Sequence, residues 1–214
     1  VGSEMCIRDR LSVDKNRNAC TNAPGCLVAA KLYLKFKDAK YLADAKILCA
    51  YVNANILKSD YRVGEPPLTY TQGTFGEACR QLYHITQEQS YMAIAEQVIS
   101  YAFTSTRCTN KGFLRDEGTD MNQSIFKAVL IPYAVNLVLD DAASGTVRNT
   151  LTLKLQDNAE ALRKNMDRTQ WPAMYCNYYW GSSFNSANIA SMGAQASGAS
   201  LMEGVARLEA AQAK

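Results

Sequence analysis

Two stretches of the chain place apolar residues with the period of an amphipathic helix. In the first stretch the apolar stripe consists of Tyr41, Leu42, Ala45, Leu48, Cys49 and Val52. In the second it consists of Tyr91, Met92, Ala95, Val98, Ile99 and Ala102. Each position in the second stripe lies 50 residues after its counterpart, and a third, fainter unit places Tyr133 near the next step. A repeat of this length indicates stacked pairs of helices.

The helix that precedes each amphipathic helix has a different pattern. The segments "CLVAAKLYL" and "IFKAVLIPYAVNLVL" are apolar on almost every side, which predicts burial all round. A buried helix paired with a half-buried one, repeated along the chain, favours an α/α barrel built from helical hairpins. A straight solenoid is the alternative, but its helices are sorted less sharply into these two kinds.

The periodicity predicts seven helices and no strands. The helices cover approximately residues 22–36, 38–57, 73–86, 89–106, 122–140, 146–166 and 188–212. No run of alternating β-branched residues indicates a strand. Pro132 falls inside the fifth helix and predicts a kink there.

The connections that lead into the buried helices are long and rich in polar and aromatic residues. They read "SVDKNRNACTNAPG", "RVGEPPLTYTQG", "CTNKGFLRDEGTDMNQ" and "WPAMYCNYYWGSSFNSAN". In a barrel all four would gather at one end. Flat aromatic rings suit the apolar faces of sugars, and amides and carboxylates suit their hydroxyls, so this mixture favours a carbohydrate ligand. The alternative is that these are ordinary turn-forming loop residues.

Composition narrows the possible functions. The net charge of +3 is too small to indicate nucleic-acid binding, and no apolar run is long enough to span a membrane. The single histidine, His84, and the absence of a CxxC motif argue against a zinc site. Among the cysteines, Cys49 and Cys79 are expected to be buried thiols. Disulfides between Cys20 and Cys26, or between Cys108 and Cys176, remain open.

Four segments together resemble glycoside hydrolase family 76, the family of α-1,6-mannanases and related cell-wall enzymes. They are "NACTNAPGCLVAAKLY", "YTQGTFGEACRQLYHIT", "FLRDEGTDMNQSIFKAVLIPY" and "GAQASGASLMEGVARL". The resemblance implies an (α/α)6 barrel of twelve helices and endo-hydrolysis of α-1,6-linked mannan with retention. It implies a mannose-containing partner, no metal or cofactor, and a secreted or cell-envelope location.

The resemblance also assigns candidate substrate-binding residues. The family motif Tyr-Asn-Gln-Gly stands here as Tyr70-Thr71-Gln72-Gly73, so Thr71 replaces an amide. Tyr70 and Gln72 are expected to face the sugar, and Gly73 to let the helix start close to neighbouring backbone. The remaining candidates for the substrate site are Asp116, Glu117, Asp120, Lys127 and Trp180. For the three acids, capping of the next helix and charge balance with Arg115 are the alternative interpretation.

The chain departs from the family in its catalytic residues, which are two adjacent aspartates. The one such pair here, Asp140-Asp141, opens a short hairpin connection and is expected to be a solvated helix terminus. We therefore predict no catalytic residue in this chain. Residues 1–10 are expected to be a non-native or disordered leader, and residues 11–214 the C-terminal part of a glycosidase domain that is inactive by itself. His84 is expected to serve packing.

Three other functions fit the pattern less well. A sugar epimerase or polysaccharide lyase would require a histidine, tyrosine or arginine base in the cleft. A non-catalytic helical-repeat scaffold would have bland connections on every side. A non-catalytic carbohydrate-binding protein remains the alternative that keeps the predicted sugar site.

Overall fold

Helices dominate the part of the chain that the structure describes. In this computed structural model that part comprises residues 18–170, 172–184 and 191–213. The helices are α1 (Ala19–Phe36), α2 (Ala39–Asn55), α3 (Thr69–Thr86), α4 (Gln89–Thr104), α5 (Met121–Ser124), α6 (Phe126–Val138), α7 (Gly145–Asn165) and α8 (Met192–Gln212). The all-α prediction is confirmed. The predicted fifth helix is divided into α5 and α6, and the predicted leader lies outside the described residues.

Two short antiparallel hairpins correct the prediction that the chain has no strands. Strand β1 (Thr109–Asn110) pairs with β2 (Phe113–Leu114), and β3 (Asp167–Gln170) pairs with β4 (Ala173–Tyr175). Strands this short are not long enough to show the alternation of apolar and polar residues that reveals a strand in a sequence. Both hairpins lie in the long connections that lead into buried helices.

The described chain forms two compact units, which divide between Tyr101 and Ala102 inside α4. In the first unit the 50-residue repeat is confirmed in the backbone. Helices α1 and α3 both end at a residue in the left-handed conformation, Lys37 with φ 59° and Gln87 with φ 62°. The backbone N–H of each donates back into its helix, to the carbonyl oxygens of Tyr33 and Tyr83. The two hairpins therefore turn in the same way.

The core of the first unit contains the predicted stripes. Helix α1 packs against α2 and α3. The stripe residues of α2 and α4 are buried, including Leu48, Cys49, Val98 and Ile99. The prediction that the first helix is buried all round is wrong for its outer face, where Val28, Leu34 and Phe36 are exposed.

The second unit contains the most completely covered helix. No residue of α6 is exposed, so the all-round apolar pattern of this helix is confirmed. Helix α6 packs against α7 and α8, and these two also contact each other. Small residues permit the close approach of α8: a Cβ atom added at Gly204 would lie 2.9 Å from a methyl group of Ile131 in α6. Pro132 lies within the helix.

None of the described cysteines forms a disulfide. Cys49 and Cys79 are buried, as predicted, with 3.9 Å between their sulfur atoms. Burial raises the pKa of Cys79 well above its ordinary value, so this thiol stays protonated. Neither of the two disulfides left open by the sequence is formed. None of the helices in the described residues combines the length and apolarity that crossing a bilayer requires.

Candidate functional site

The motif at residues 70–73 lies inside α3, which begins earlier than predicted, in the first unit. Gln72 is completely buried. Its side-chain oxygen accepts the backbone N–H of Val63, and its Nε2 atom donates to the carbonyl oxygens of Tyr61 and Val98 at 3.3 and 3.4 Å. The prediction that Gln72 faces a sugar is corrected by this geometry, because the carboxamide is enclosed and used by the backbone.

Of the other motif residues, Thr71 is buried and hydrogen-bonded, whereas Tyr70 is partly exposed. The buried Thr71 hydroxyl lies 2.8 Å from the carbonyl oxygen of Leu68 and 3.2 Å from that of Val63. Threonine thus anchors the connection at the position where the motif has asparagine. Tyr70 is half-buried and retains an accessible surface. Its predicted contact with a sugar stays a prediction.

The acidic segment of the second unit, defined here as residues 116–120, contains one capping residue and two residues with accessible surface. The Asp120 carboxylate accepts the backbone N–H groups of Asn122 and Gln123 at 2.8 and 2.9 Å, so it caps α5. Asp116 is exposed and accepts the N–H of Gly118 at 2.7 Å within a tight turn. Glu117 is half-buried. The capping interpretation is therefore confirmed for Asp120, and Asp116 and Glu117 keep surface that a ligand can reach.

Lys127 is a buried cation near the start of α6, with 4% of its surface exposed. Its ammonium group donates to the carbonyl oxygen of Tyr178 and lies 4.0 Å from the centroid of the Trp180 ring. Burial lowers the pKa of Lys127 to about 8, while Glu117, Cys176 and, less strongly, Asp116 act in the opposite direction. The side chain therefore contacts the protein rather than a cavity, which corrects the prediction that it binds substrate directly.

Trp180 is the largest fully buried side chain of the second unit, with 1% of its surface exposed. The Lys127 ammonium covers its ring. Its indole Nε1 atom is buried and has no acceptor among the described residues. Because no ring face is available, the prediction that Trp180 contacts a sugar is corrected. The tryptophan instead packs inside the second unit, beside the Lys127 ammonium.

Residues 175–184, here called the aromatic segment, are held by side chains from two helices. The Gln195 amide of α8 pairs with the backbone of Cys176: its oxygen accepts the N–H at 2.9 Å, and its nitrogen donates to the carbonyl at 3.0 Å. The Asn165 amide, at the end of α7, donates to the carbonyl oxygen of Trp180 at 2.9 Å. These bonds fix the segment near its start and at Trp180, and the Phe184 N–H, which donates to the Asn165 carbonyl oxygen at 2.9 Å, fixes its end.

Tyr179 ties the aromatic segment to the β1–β2 hairpin. Its hydroxyl donates to the carbonyl oxygen of Asn110 at 2.6 Å. The ring lies so close to Gly181 that a Cβ atom added there would stand 2.4 Å from the Tyr179 oxygen. A side chain at this position would therefore displace the Tyr179 ring.

An aromatic pair at the ends of this segment was missed by the sequence analysis. The rings of Tyr175 and Phe184 are stacked, with centroids 5.9 Å apart and an interplanar angle of 28°. Tyr175 is exposed and Phe184 is half-buried. The connection was recognised as rich in aromatic residues, but nothing in the spacing indicates which rings point outward.

A buried ion pair in α3 was also missed. The Glu77 side chain has 2% of its surface exposed, and Arg80 donates to both of its oxygens at 2.8 and 2.9 Å. Gln81 donates to the same carboxylate at 2.8 Å. The spacing of three residues between acid and base was the signal available in the sequence.

The adjacent aspartates are not arranged as a catalytic pair. Asp140 accepts the N–H of Ala142 in the turn after α6, and the largely exposed Asp141 pairs with Arg148 at 3.0 Å. This pair forms a helix terminus, as predicted, although Asp140 is buried rather than solvated. His84 is exposed beside Tyr83 rather than enclosed. Within the described part of the chain, no cluster of three potential metal-binding side chains occurs.

A groove of about 650 Å³ in the second unit lies apart from the predicted site residues. Half of its described lining residues are charged, and Phe113 is the aromatic residue among them; the charged ones are Lys111, Lys154, Asp157, Glu160 and Lys164. Mixed charges of this kind are typical of a solvated helix surface. The groove has little of the aromatic and amide surface that suits a neutral sugar.

Comparisons with known proteins agree with this helical fold. A structure of an inactive variant of the α-1,6-mannanase GH76A from Salegentibacter sp. HEL1_6, in complex with α-1,6-mannotetrose, superposes with a TM-score of 0.80 at 25% identity. The match covers 90% of this chain and 59% of that one. The Lin0763 protein from Listeria innocua matches with a TM-score of 0.78 at 23% identity, over 90% of this chain and 56% of that one.

The chain thus spans about three fifths of the length of the mannanase that it matches. The structures of this family are helical barrels, so the predicted fold class is confirmed. A comparison with curated proteins finds none that matches. The model of one glycosidase family, described as glycosyl hydrolase family 76, matches residues 7–213. Because this match includes nearly the whole sequence, the chain belongs to glycosyl hydrolase family 76.

Proposed function

We propose that this chain takes part in the endo-hydrolysis of α-1,6-linked mannan with retention of configuration. The observation that carries the proposal is the likeness over 90% of the chain to a mannanase in complex with α-1,6-mannotetrose. Family membership supports glycosidase chemistry in general. The linkage and the stereochemical outcome are the parts of the proposal that need experiment.

The second unit carries accessible groups of the right chemistry in the connection before α5 and in the aromatic segment. Asp116 and Glu117 offer carboxylates that can accept hydrogen bonds from sugar hydroxyls. The stacked rings of Tyr175 and Phe184 offer a flat apolar surface. Because the aromatic segment is already held by Gln195 and Asn165, these rings need little further ordering when a ligand binds.

Retention requires two carboxyl groups roughly 5 Å apart on either side of the glycosidic bond. The adjacent aspartates 140 and 141 are engaged in a helix terminus, and Asp120 is engaged in a cap. We therefore propose that the catalytic aspartates are supplied from outside these 214 residues. We also propose a secreted or cell-envelope location, where a cell-wall mannan would be met.

The test is to measure both binding and cleavage by the purified chain. Titration calorimetry with α-1,6-mannotetrose should show weak binding, with a dissociation constant on the order of 1 mM, and no release of reducing ends. Glu117→Gln should weaken this binding. Asp120→Asn, which retains a capping side chain, should change it little, and Glu209→Gln on the exposed face of α8 is the matched control.

Three results would count against the proposal. Absence of any binding to mannotetrose, with the fold intact by circular dichroism, would remove the mannan-binding role. Equal effects of Glu117→Gln and Glu209→Gln would remove the role of the acidic segment. Robust cleavage by the parent chain that Glu117→Gln abolishes would show that the active site is contained within these residues.

A further inference from the structure

A single lysine joins the start of α6 to the middle of the aromatic segment. The Lys127 ammonium donates to the carbonyl oxygen of Tyr178 and lies 4.0 Å from the centre of the Trp180 ring. These two partners are two residues apart in the sequence, on a segment that contains neither helix nor strand at that point. One side chain thus fixes both the path of the backbone and the orientation of the indole.

The tryptophan depends on this contact because its own polar atom does not hold it. Among the described residues, the buried Trp180 Nε1 has no acceptor. The Asn165 bond holds the backbone carbonyl of Trp180 and not the indole. Packing encloses the indole, and the Lys127 ammonium adds a polar contact to its ring.

An apolar side chain of the same length would fill this space without the cost of burying a charge. A buried ammonium is retained at low cost only where partners compensate it, and here they do so in part. Glu117 and Asp116 in the preceding connection, and Cys176 in the aromatic segment, favour the charged form of Lys127 and so raise its pKa. Helix α6 carries no other charged residue, and the first charged residue of α8 is Glu203, more than two turns beyond its start.

We propose that Lys127 is a positioning residue whose positive charge holds the Tyr178 carbonyl group and the Trp180 ring against α6, and that loss of its proton loosens both contacts. As far as it concerns sugar binding, this inference rests on the proposed function. The positioning of Tyr178 and Trp180 by Lys127 does not depend on that function. A neutral amine can still donate to the Tyr178 carbonyl, but it loses its electrostatic attraction to the ring.

The release would occur close to physiological pH. Burial lowers the pKa of Lys127 to about 8, against an ordinary value of 10.5. The Gln195 and Asn165 hydrogen bonds involve no titratable group, and the Tyr179 bond to Asn110 involves a phenol whose pKa is raised by burial. These bonds, and the bond from the Phe184 N–H to the Asn165 carbonyl oxygen, therefore persist while the Lys127 contacts with the Tyr178 carbonyl and the Trp180 ring weaken.

Tryptophan fluorescence tests the hold without any ligand. The chain has two tryptophans, so Trp171→Phe leaves Trp180 as the one indole reporter. Between about pH 6 and about pH 10 its emission should change in one step with a midpoint near the Lys127 pKa of about 8. Lys127→Met should abolish this step. Lys164→Met, at an exposed position on α7, is the matched control and should retain it.

Two further variants make the outcome decisive. Lys127→Arg keeps the charge throughout this range, so its emission should show no step even if Lys127→Met folds poorly. Cys176→Ser removes the neighbouring thiol, whose pKa is raised by burial, and should retain the step. A step that persists in Lys127→Arg, or its absence from the parent chain, would overturn the proposal.

Binding of mannotetrose separates this inference from the proposed function. If the parent chain binds the sugar, its affinity should fall as the pH rises through about 8, whereas that of Lys127→Arg should not. A fluorescence step without any sugar binding would leave the hold established and the proposed function refuted. Sugar binding with no fluorescence step would support the proposed function and refute the positioning role of Lys127.

Discussion

Gln72 and Val63 are joined by a buried hydrogen bond in which the side-chain oxygen of Gln72 accepts the backbone N–H of Val63. Both residues have no exposed surface. The same carboxamide donates to two carbonyl oxygens, so one side chain satisfies three backbone groups of the connection before α3 and of α4. The motif that first suggested a sugar contact thus fixes a loop.

Removing this amide should destabilise the first unit. Gln72→Ala leaves the buried N–H of Val63 without its acceptor and opens a small cavity, which together should cost about 2–4 kcal/mol. Urea unfolding followed by circular dichroism would measure the loss. Gln97→Ala, on the exposed face of α4, is the matched control and should lie within about 0.5 kcal/mol of the parent. Equal stability of Gln72→Ala and the parent would contradict the anchoring role.

Gly76 of α3 lies directly against Ile99 of α4. A Cβ atom added at Gly76 would lie 2.4 Å from Cγ1 of Ile99. Gly76→Ala should therefore destabilise the protein by about 1–3 kcal/mol despite the higher helix propensity of alanine. Gly145→Ala has open space around it and should be neutral or stabilising. Thermal unfolding compares the two variants.

A compensating substitution tests the mechanism at this contact. Ile99→Ala makes room for the added methyl group, so Gly76→Ala should cost less in that background than in the parent. Additive effects of the two substitutions would show that the helices do not meet as closely as the structure indicates.

The regular part of the fold could be predicted because it depends on periodicity. The 50-residue repeat appears in the stripes of α2 and α4, and the backbone reproduces it in the left-handed caps at Lys37 and Gln87. Burial of α6 followed from its apolar pattern in the same way. These features require only that apolar residues recur at the helical period.

The site was predicted less well because the orientation of a loop side chain has no period. Lys127 needed a partner, which the sequence indicated, but nothing identified Trp180 as the ring that it covers. The most exposed ring of the segment belongs to Tyr175, which the sequence did not distinguish from its aromatic neighbours. For Gln72, a match to a family motif was taken as evidence of contact with substrate, whereas the residue serves the backbone.

Two ion pairs with the same spacing and geometry should contribute differently to stability, because one is buried and the other is exposed. Arg80 and Glu77 form a two-pronged pair three residues apart in α3, and Arg163 and Glu160 form another in α7. The first Glu side chain is 2% exposed and the second 61%. Arg80→Met should therefore cost about 3–5 kcal/mol, because it strands a buried carboxylate.

The exposed pair provides the control for this comparison. Arg163→Met should lower the free energy of unfolding by about 0–1 kcal/mol, since water solvates both residues of the exposed pair. Glu77→Gln introduced together with Arg80→Met should recover part of the loss, because a neutral amide is less costly to bury than an unpaired charge. Denaturant unfolding of the parent and the three variants gives the values. Similar costs for Arg80→Met and Arg163→Met would contradict the role of burial.

The buried charge of Lys127 should make stability rise with pH. Its pKa in the folded chain is about 8, below the ordinary 10.5, so between these values the unfolded chain binds more protons than the folded one. Raising the pH across this window should stabilise the parent by up to about 3 kcal/mol relative to Lys127→Met, in which the group is absent. Other titrating groups cancel in this difference, which urea unfolding at a series of pH values would measure. A difference that stays constant with pH would show that the folded pKa is ordinary. If confirmed, the charge that holds the aromatic segment in place is also one that the fold would be more stable without, which is the expected relation where a side chain is kept for positioning rather than for stability.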